Sequence, residues 1–308
     1  MRGKELLTAE QLEEFMQIPS DSDWNLGTYY TFSQHDLDII NNHRRDHNRL
    51  GFAVQLAVLR FPGWSLSDLK MIPDSMLSYI AKQVGVEPDV FPQYAQREPT
   101  RREHIEEIRQ AYGYRNFTLR EYRSISQIML KYALENGDAD YLLRTAIEEL
   151  RKQKVILPGM TTIERVVWEA RQRAEENISK LLISSLAPEQ VEKLDRILSP
   201  MPESSKTYLA WLREIPGSCS PDVFLKVIEK LEFVRDLRLQ IDTKGIHPNR
   251  LRQLSKVGAR YEPHSFRRFD DPKKYAILVT YLIELIQDLT DQAFDIHDRQ
   301  IMQLLSKG

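Results

Sequence analysis

Apolar residues along this chain recur every three or four positions, which is the spacing of one face of an amphipathic α-helix. Ile40, His43, His47, Leu50 and Val54 illustrate the pattern, since all five share one face of a helical wheel. The apolar–polar alternation of a half-buried β-strand is nearly absent, and only 12 of the 308 residues are glycine. The pattern predicts an all-α fold.

Helix boundaries are marked by local signals. A capping box places Glu or Gln three residues after an N-terminal Ser or Thr, so that each side chain bonds the other's backbone N–H. Four boxes are present: Thr8–Gln11, Thr100–Glu103, Thr118–Glu121 and Thr161–Glu164. Ser33 and Ser220 predict two further helix starts. Four glycines predict helix ends: Gly63, Gly113, Gly137 and Gly258.

Breaks in the helical pattern suggest three parts. They lie at residues 86–100, with three prolines, at 199–205, and more weakly at 216–221. Proline and glycine interrupt regular structure. We predict an N-terminal helical unit over 1–95, a middle unit over 96–198 and a C-terminal helical domain over 199–308.

Composition narrows the class of protein. With 42% hydrophobic and 29% charged residues the chain is typical of folded soluble proteins. Its one cysteine, Cys219, rules out a disulfide framework or a cysteine zinc site within the chain. No signal-peptide core is present, and no run approaches the ~18 apolar residues of a membrane span. We expect a cytoplasmic, nucleoid-associated protein with no membrane partner.

Charge is sorted along the chain, although the net charge is only −2. Residues 1–40 are acidic, whereas residues 244–274 hold nine Lys or Arg against three acidic residues. A local excess of positive charge, as in residues 244–274, is suited to contacts with phosphates. The candidates are Arg250, Arg252, Lys256, Arg260, Arg267 and Arg268. The alternative is a charged hinge that pairs with Asp291, Asp295 and Asp298.

The stretch NNHRRDHNRLGFAVQL, residues 41–56, combines histidines and arginines with an apolar run. His43 and His47 have the i,i+4 spacing of a helical metal pair, but only His35 and His104 suggest a third ligand. We therefore predict partly buried histidines at a helix start, and no metal. Arg44, Arg45 and Arg49 lie away from the apolar face, where they contact either phosphate or solvent only.

Two helix pairs have the pattern of a helix-turn-helix motif, whose second helix presents polar side chains to DNA. In the first, residues 100–136, Tyr122, Ile125, Met129, Tyr132 and Ala133 form the predicted inner stripe of the second helix. Its outer side carries Arg120, Ser124, Gln127 and Lys131, which suit base edges and phosphates. The alternative is a solvated surface helix.

The second pair covers residues 139–179. Its second helix has an inner stripe of Ile163, Val166, Val167, Ala170 and Ala174. The outer or flanking residues are Thr161, Thr162, Arg165, Trp168, Gln172 and Arg173. An exposed Trp is unusual in a monomer and suits either DNA or a neighbouring domain. These pairs predict an all-α, multi-domain protein with tandem helix-turn-helix-like DNA-binding domains, to which the unit over 1–95 adds a third DNA-binding unit.

Five ordered motifs resemble the N-terminal region of the Tn-three-family replicative transposases. They are RRDHNRLGFAVQLAVLRFPG (44–63), YAQREPTRREHIEEIR (94–109), ILPGMTTIERVVWEA (156–170), IHPNRLRQLSKVGAR (246–260) and LTDQAFDIHDRQI (289–301). The resemblance implies recognition of the transposon's terminal inverted repeats, in double-stranded DNA, by a protein that dimerises. It places the catalytic domain, with its carboxylate triad and Mg²⁺, beyond residue 308.

We therefore expect a DNA-binding part of a transposase with no catalytic residue, metal or cofactor of its own. One alternative is an enzyme fragment with its own activity, but no nucleophile–base pair, phosphate loop or complete metal set is recognisable. Another is a helical scaffold for dimerisation, with the DNA contacts elsewhere. Charge reversal at Arg120 and Arg165 separates the scaffold from the DNA-binding hypothesis.

Overall fold

A computed structural model of the chain describes residues 8, 15, 18, 23–69, 71–95, 98–202, 204–214 and 220–306. In these ranges the regular elements are all helices, and the only β-type pairing consists of two isolated bridges. The all-α prediction is confirmed.

Within the described residues, nine α-helices lie before residue 184: α1 (Asp23–Tyr30), α2 (Gln34–Asn41), α3 (Asp46–Arg60), α4 (Asp74–Val84), α5 (Phe91–Ala95), α6 (Glu98–Tyr112), α7 (Leu119–Glu135), α8 (Ala139–Lys152) and α9 (Met160–Ile183). Five follow: α10 (Pro188–Ile197), α11 (Tyr208–Leu212), α12 (Pro221–Asp236), α13 (Pro248–Arg260) and α14 (Asp271–Leu305). Short 3₁₀ helices cover Pro88–Val90 and Pro263–Arg268.

The chain groups into two compact units. Unit 1 comprises residues 1–129 and 138–170, and unit 2 comprises 130–137 and 171–308. The division falls inside α7 and inside α9. The predicted boundaries at residues 95 and 198 are not tested by this grouping and stay a prediction.

Unit 1 is built around α3. Ten consecutive residues of this helix, from Leu50 to Leu59, are buried, because α4, α5 and α6 cover it on several sides. Gly51 has no side chain where the ring of Tyr94 packs against the helix. A helix buried all round needs apolar or small residues on every face. This explains why the run from residue 50 loses its polar face.

A buried ion pair joins the ends of α2 and α3. Asp36 is 3% exposed and accepts two hydrogen bonds from the guanidinium of Arg60, at 2.9 and 2.6 Å. It also completes the capping box with Ser33, which confirms that predicted helix start. Burial disfavours the charged carboxylate, but the bonds from Arg60 and Ser33 outweigh it and hold the pKa of Asp36 well below its usual range.

The core of unit 2 lies along α14, which packs against α12 and α13. From Tyr275 to Leu282 every residue of α14 is buried. Gly258, predicted as a helix end, lies inside α13, where Tyr281 packs against its Cα. That prediction is wrong because the glycine serves a close helix–helix contact rather than a turn.

Some of the other predicted helix boundaries are confirmed and others are wrong. Glu121 accepts from the backbone N–H of Thr118, the Thr118 hydroxyl accepts from the N–H of Arg120, and Ser220 caps α12, so both starts are confirmed. Thr100 and Thr161 are not N-caps, because α6 begins at Glu98 and α9 at Met160. Gly113 ends α6 with a left-handed φ of 73°. Gly63 and Gly137 follow α3 and α7, as predicted, and Gln11 of the first box lies outside the described residues.

Candidate nucleic-acid interface

The loops before α7 and α9 are hydrogen-bonded to each other in unit 1. The backbone N–H of Arg115 donates to the carbonyl of Lys154, and that of Ile156 donates to the carbonyl of Arg115, both at 2.9 Å. The Arg115 guanidinium also donates to the carbonyl of Gln153 at 3.2 Å and lies 3.4 Å from Glu121. The loops that lead into α7 and α9 are therefore held together.

A second set of bonds ties the α8–α9 loop to the end of α3. The N–H of Leu157 donates to the carbonyl of Gly63 at 3.1 Å, and the indole N–H of Trp64 donates to the carbonyl of Pro158 at 3.0 Å. Trp64 is only 1% exposed. The loop is thus anchored on a rigid, buried base, as precise recognition requires.

The polar side of α7 faces solvent. Arg120, Ser124 and Gln127 are exposed, while Ile125 and Met129 are buried, as the helical pattern predicts. Lys131 is also exposed but lies in the part of α7 that groups with unit 2. Of the remaining inner residues, Ala133 is buried and Tyr122 and Tyr132 are half-buried.

The first half of α9 presents a similar ridge. Thr161, Arg165 and Trp168 are exposed, the Trp at 39%, and Thr162 is half-buried. Gln172 is half-buried and Arg173 exposed, in the part of α9 that groups with unit 2. The five predicted inner residues are all buried, so the predicted orientation of this helix is confirmed.

Tyr122 of α7 contacts two residues of α9, Glu169 and Arg165. The Tyr122 hydroxyl donates to a carboxylate oxygen of Glu169 at 2.9 Å, and the Arg165 guanidinium carbon lies 5.4 Å from the centre of the Tyr122 ring. Burial first, and the Glu169 carboxylate second, raise the pKa of Tyr122, which keeps the hydroxyl protonated as a donor. Sequence reasoning missed Glu169, because a contact across 47 residues leaves no local signal.

The loops that connect the helix pairs are longer than in a usual helix-turn-helix. Residues 113–118 separate α6 from α7, and residues 153–159 separate α8 from α9, where three or four residues are typical. The helices of both pairs are confirmed as helices. Their description as helix-turn-helix domains stays a prediction.

The three arginines near residue 45 differ in their exposure to solvent. Arg44 and Arg45 are exposed, whereas Arg49 is half-buried and pairs with Asp46 at 2.6 Å. These positions stay candidates for phosphate contact.

The nearby histidines are half-buried or buried. His43 packs against His104, with ring centres 4.5 Å apart, and its Nε2 lies 3.6 Å from Glu107. Burial lowers the pKa of both rings, that of His104 to about 4 with a contribution from His43. His47 is half-buried, which completes the predicted picture of partly buried histidines. Within the described ranges no three His, Cys, Asp or Glu residues are placed to hold a metal ion.

The basic segment 244–274 is largely solvent-accessible. Its exposed candidates are Arg252, Lys256, Arg260, Arg267 and Arg268. Arg250 is 4% exposed, donates to the side-chain oxygen of Gln253 at 2.8 Å and fills the space beside Gly137. The expectation that Arg250 is open to phosphate is wrong. Its i,i+4 spacing to the buried Leu254 was the signal that could have shown this.

The ion-pair partners of this segment also differ from the predicted ones. Asp291, Asp295 and Asp298 make no ion pair with its cations in the described part of unit 2. Instead Lys273 pairs with Glu175 at 2.8 Å. Lys274 pairs with Asp195 at 3.0 Å and with Asp271 at 3.1 Å. The exposed arginines of the segment are consequently not neutralised by the acidic face of α14.

None of the helices in the described ranges combines the length and the apolarity needed to span a bilayer.

Residues 6–170 match a family model described as a domain of unknown function, DUF4158. The match ends where unit 1 ends. The chain is 54% identical over its whole length to the transposase for transposon Tn1546 of Enterococcus faecium. It is 35% identical over 99% of its length to the transposase for transposon Tn3926 of Escherichia coli. A similar relative is the transposase for transposon Tn501 of Pseudomonas aeruginosa, at 33% over 98%.

The chain spans only about a third of these relatives, 31% of the first two and 30% of the third.

Proposed function

The chain belongs to the DUF4158 family and has transposase homologues along its whole length, and from this premise we propose that it recognises the terminal inverted repeats of a transposon. It positions these ends for a DDE-type catalytic domain outside the 308 residues. It performs no strand cleavage itself. Such a protein works in the bacterial cytoplasm on the nucleoid, and full-length copies pair as a homodimer.

One observation carries the proposal. The loops that lead into α7 and α9 are hydrogen-bonded to each other in unit 1, and each helix directs a polar, partly basic ridge into solvent from a buried apolar underside. Arg120 and Arg165 are suited to guanine edges, Ser124 and Gln127 to several bases, and Thr161 and Thr162 to phosphate. The major groove of DNA is wide enough to admit an α-helix.

The proposal adds contacts with the phosphates of the DNA backbone to these base contacts. Arg44, Arg45, Arg49 and the exposed cations of segment 244–274 neutralise phosphates, which adds affinity without sequence information. The Mg²⁺ of such transposases belongs to the catalytic domain. The described residues hold no cluster of three His, Cys, Asp or Glu that could bind a metal ion.

The experiment is a band shift of the chain with duplex DNA that carries the terminal inverted repeat of its own transposon, against a scrambled duplex of equal composition. We expect the repeat to bind at least tenfold more tightly, and both affinities to fall as salt rises. Equal affinity for the two duplexes contradicts sequence-specific recognition. If neither binds while the chain self-associates in sedimentation, the dimerisation scaffold replaces the proposal.

A phosphate contact should act differently from a base contact. Arg267→Ala is expected to weaken binding to both duplexes by the same factor and to reduce the slope of log affinity against log salt by about one. Lys226→Ala, an exposed cation on α12, is the matched control and should leave the slope unchanged. A loss restricted to the repeat duplex would assign Arg267 to base reading instead.

A further inference from the structure

We propose that Tyr122 and Glu169 are positioning residues that hold Arg165 ready for base recognition. This inference rests on the proposed function, because it concerns how the same surface discriminates between DNA sequences. It gives a role to the contacts that Tyr122 of α7 makes with Glu169 and Arg165 of α9.

The first step of the argument concerns Arg165 and Glu169. They are four residues apart on α9, a spacing at which an Arg and a Glu are close enough to form an ion pair along the helix. Here Arg165 forms no ion pair with any described residue. Its guanidinium lies instead against the ring of Tyr122, 5.4 Å from the ring centre.

The second step concerns the carboxylate of Glu169. The Tyr122 hydroxyl donates to one of its oxygens at 2.9 Å, which is a charge-assisted bond between two half-buried side chains. The hydroxyl thereby draws Glu169 toward α7 and away from the neighbouring arginine. Tyr122 therefore holds the Glu169 carboxylate away from Arg165 and supports the Arg165 guanidinium with its ring.

The third step concerns the N–H donors that Arg165 keeps available for DNA. The contact with Tyr122 involves both its ring and its hydroxyl, and it leaves the other guanidinium N–H donors of Arg165 for another partner. An arginine already held in this way loses less side-chain freedom when it binds, so recognition is stronger. Arg165 is exposed, and a bidentate contact to a guanine edge uses two of these donors.

Tyr122→Phe tests the inference by removing only the hydroxyl. The freed Glu169 carboxylate should capture Arg165, so the ratio of repeat to scrambled affinity should fall by roughly tenfold. Affinity for the scrambled duplex should change by less than about twofold, since phosphate contacts dominate it. The melting temperature should stay close to that of the parent chain.

A double variant provides the rescue. In Tyr122→Phe with Glu169→Gln no carboxylate remains to capture Arg165, so discrimination should return to within about threefold of the parent chain. The ratio is the readout, because removing an acid raises affinity for every duplex. Tyr141→Phe, an exposed tyrosine on α8, is the control and should leave the ratio unchanged.

The outcomes separate this inference from the proposed function. A parent chain without discrimination overturns both. A discriminating parent whose ratio is unaffected by Tyr122→Phe overturns the positioning role alone. So does a Tyr122→Phe chain that loses both affinities together with thermal stability, or a double variant with no recovery, because either result shows that Tyr122 supports the fold rather than Arg165.

Discussion

Arg60→Met is expected to lower the free energy of unfolding by about 3 kcal/mol. The substitution removes the partner of Asp36, whose side chain is 4% exposed, and leaves a carboxylate in the core between α2 and α3. Ser33 continues to donate to Asp36 through its backbone N–H, at 2.8 Å, but satisfies only part of the charge. Breaking a buried pair from one side costs much more than a surface pair contributes.

Urea unfolding at neutral pH measures this effect. Arg49→Met is the matched control, because Arg49 forms an ion pair within α3 to Asp46, a residue that is 61% exposed. A pair of that kind contributes roughly 0.5 kcal/mol or less. Equal losses in the two variants would mean that Asp36 is hydrated and that the pair is no more important than a surface one.

The Asp36–Arg60 pair also makes the free energy of unfolding depend on pH. The folded pKa of Asp36 lies below the ordinary value of 3.8, so its contribution to stability is complete above that value and is lost progressively as the pH falls from there toward the folded pKa. Arg60→Met removes the main interaction that lowers this pKa. The difference in unfolding free energy between the parent chain and the variant should therefore shrink as the solution is acidified below about pH 4.

The helical fold was predictable because its determinants are local. The buried stripe from Ile163 to Ala174 repeats at helical spacing, and Ser33 is followed by Asp36 at the distance of a capping box. Both signals act within a few residues along the chain, where sequence reasoning is strongest. The start of α9 at Met160 lies two residues before the one that a Thr161 cap predicts, and Met160 packs into the core at 6% exposure.

The candidate surface was only partly predictable. The outward direction of Arg120 and Arg165 follows from periodicity, but the bridge between the loops at Arg115 and Val155 depends on tertiary packing. The Tyr122–Glu169 bond joins residues 47 positions apart, and Tyr122 had been placed in the inner stripe. Periodicity gives the face of a helix, whereas the partner on that face comes from the arrangement of other helices.

The largest effect on DNA binding is expected from reversing charge on both ridges. Arg120→Glu with Arg165→Glu should weaken binding to the repeat duplex by about a hundredfold or more, because each base contact contributes about 1–3 kcal/mol and 1.4 kcal/mol is a factor of about ten. Repulsion between the new carboxylates and the phosphates adds to this loss. Both positions are exposed, so the fold should tolerate the change.

The control must match the change in net charge, because an acidic shift alone weakens DNA binding. Lys82→Glu with Lys226→Glu makes the same change at exposed positions on α4 and α12. If both double variants lose affinity equally, the ridges act only through charge and do not read the repeat. If the ridge variant binds like the parent chain but sediments as a different oligomer, α7 and α9 form a self-association surface, and the DNA contacts lie elsewhere.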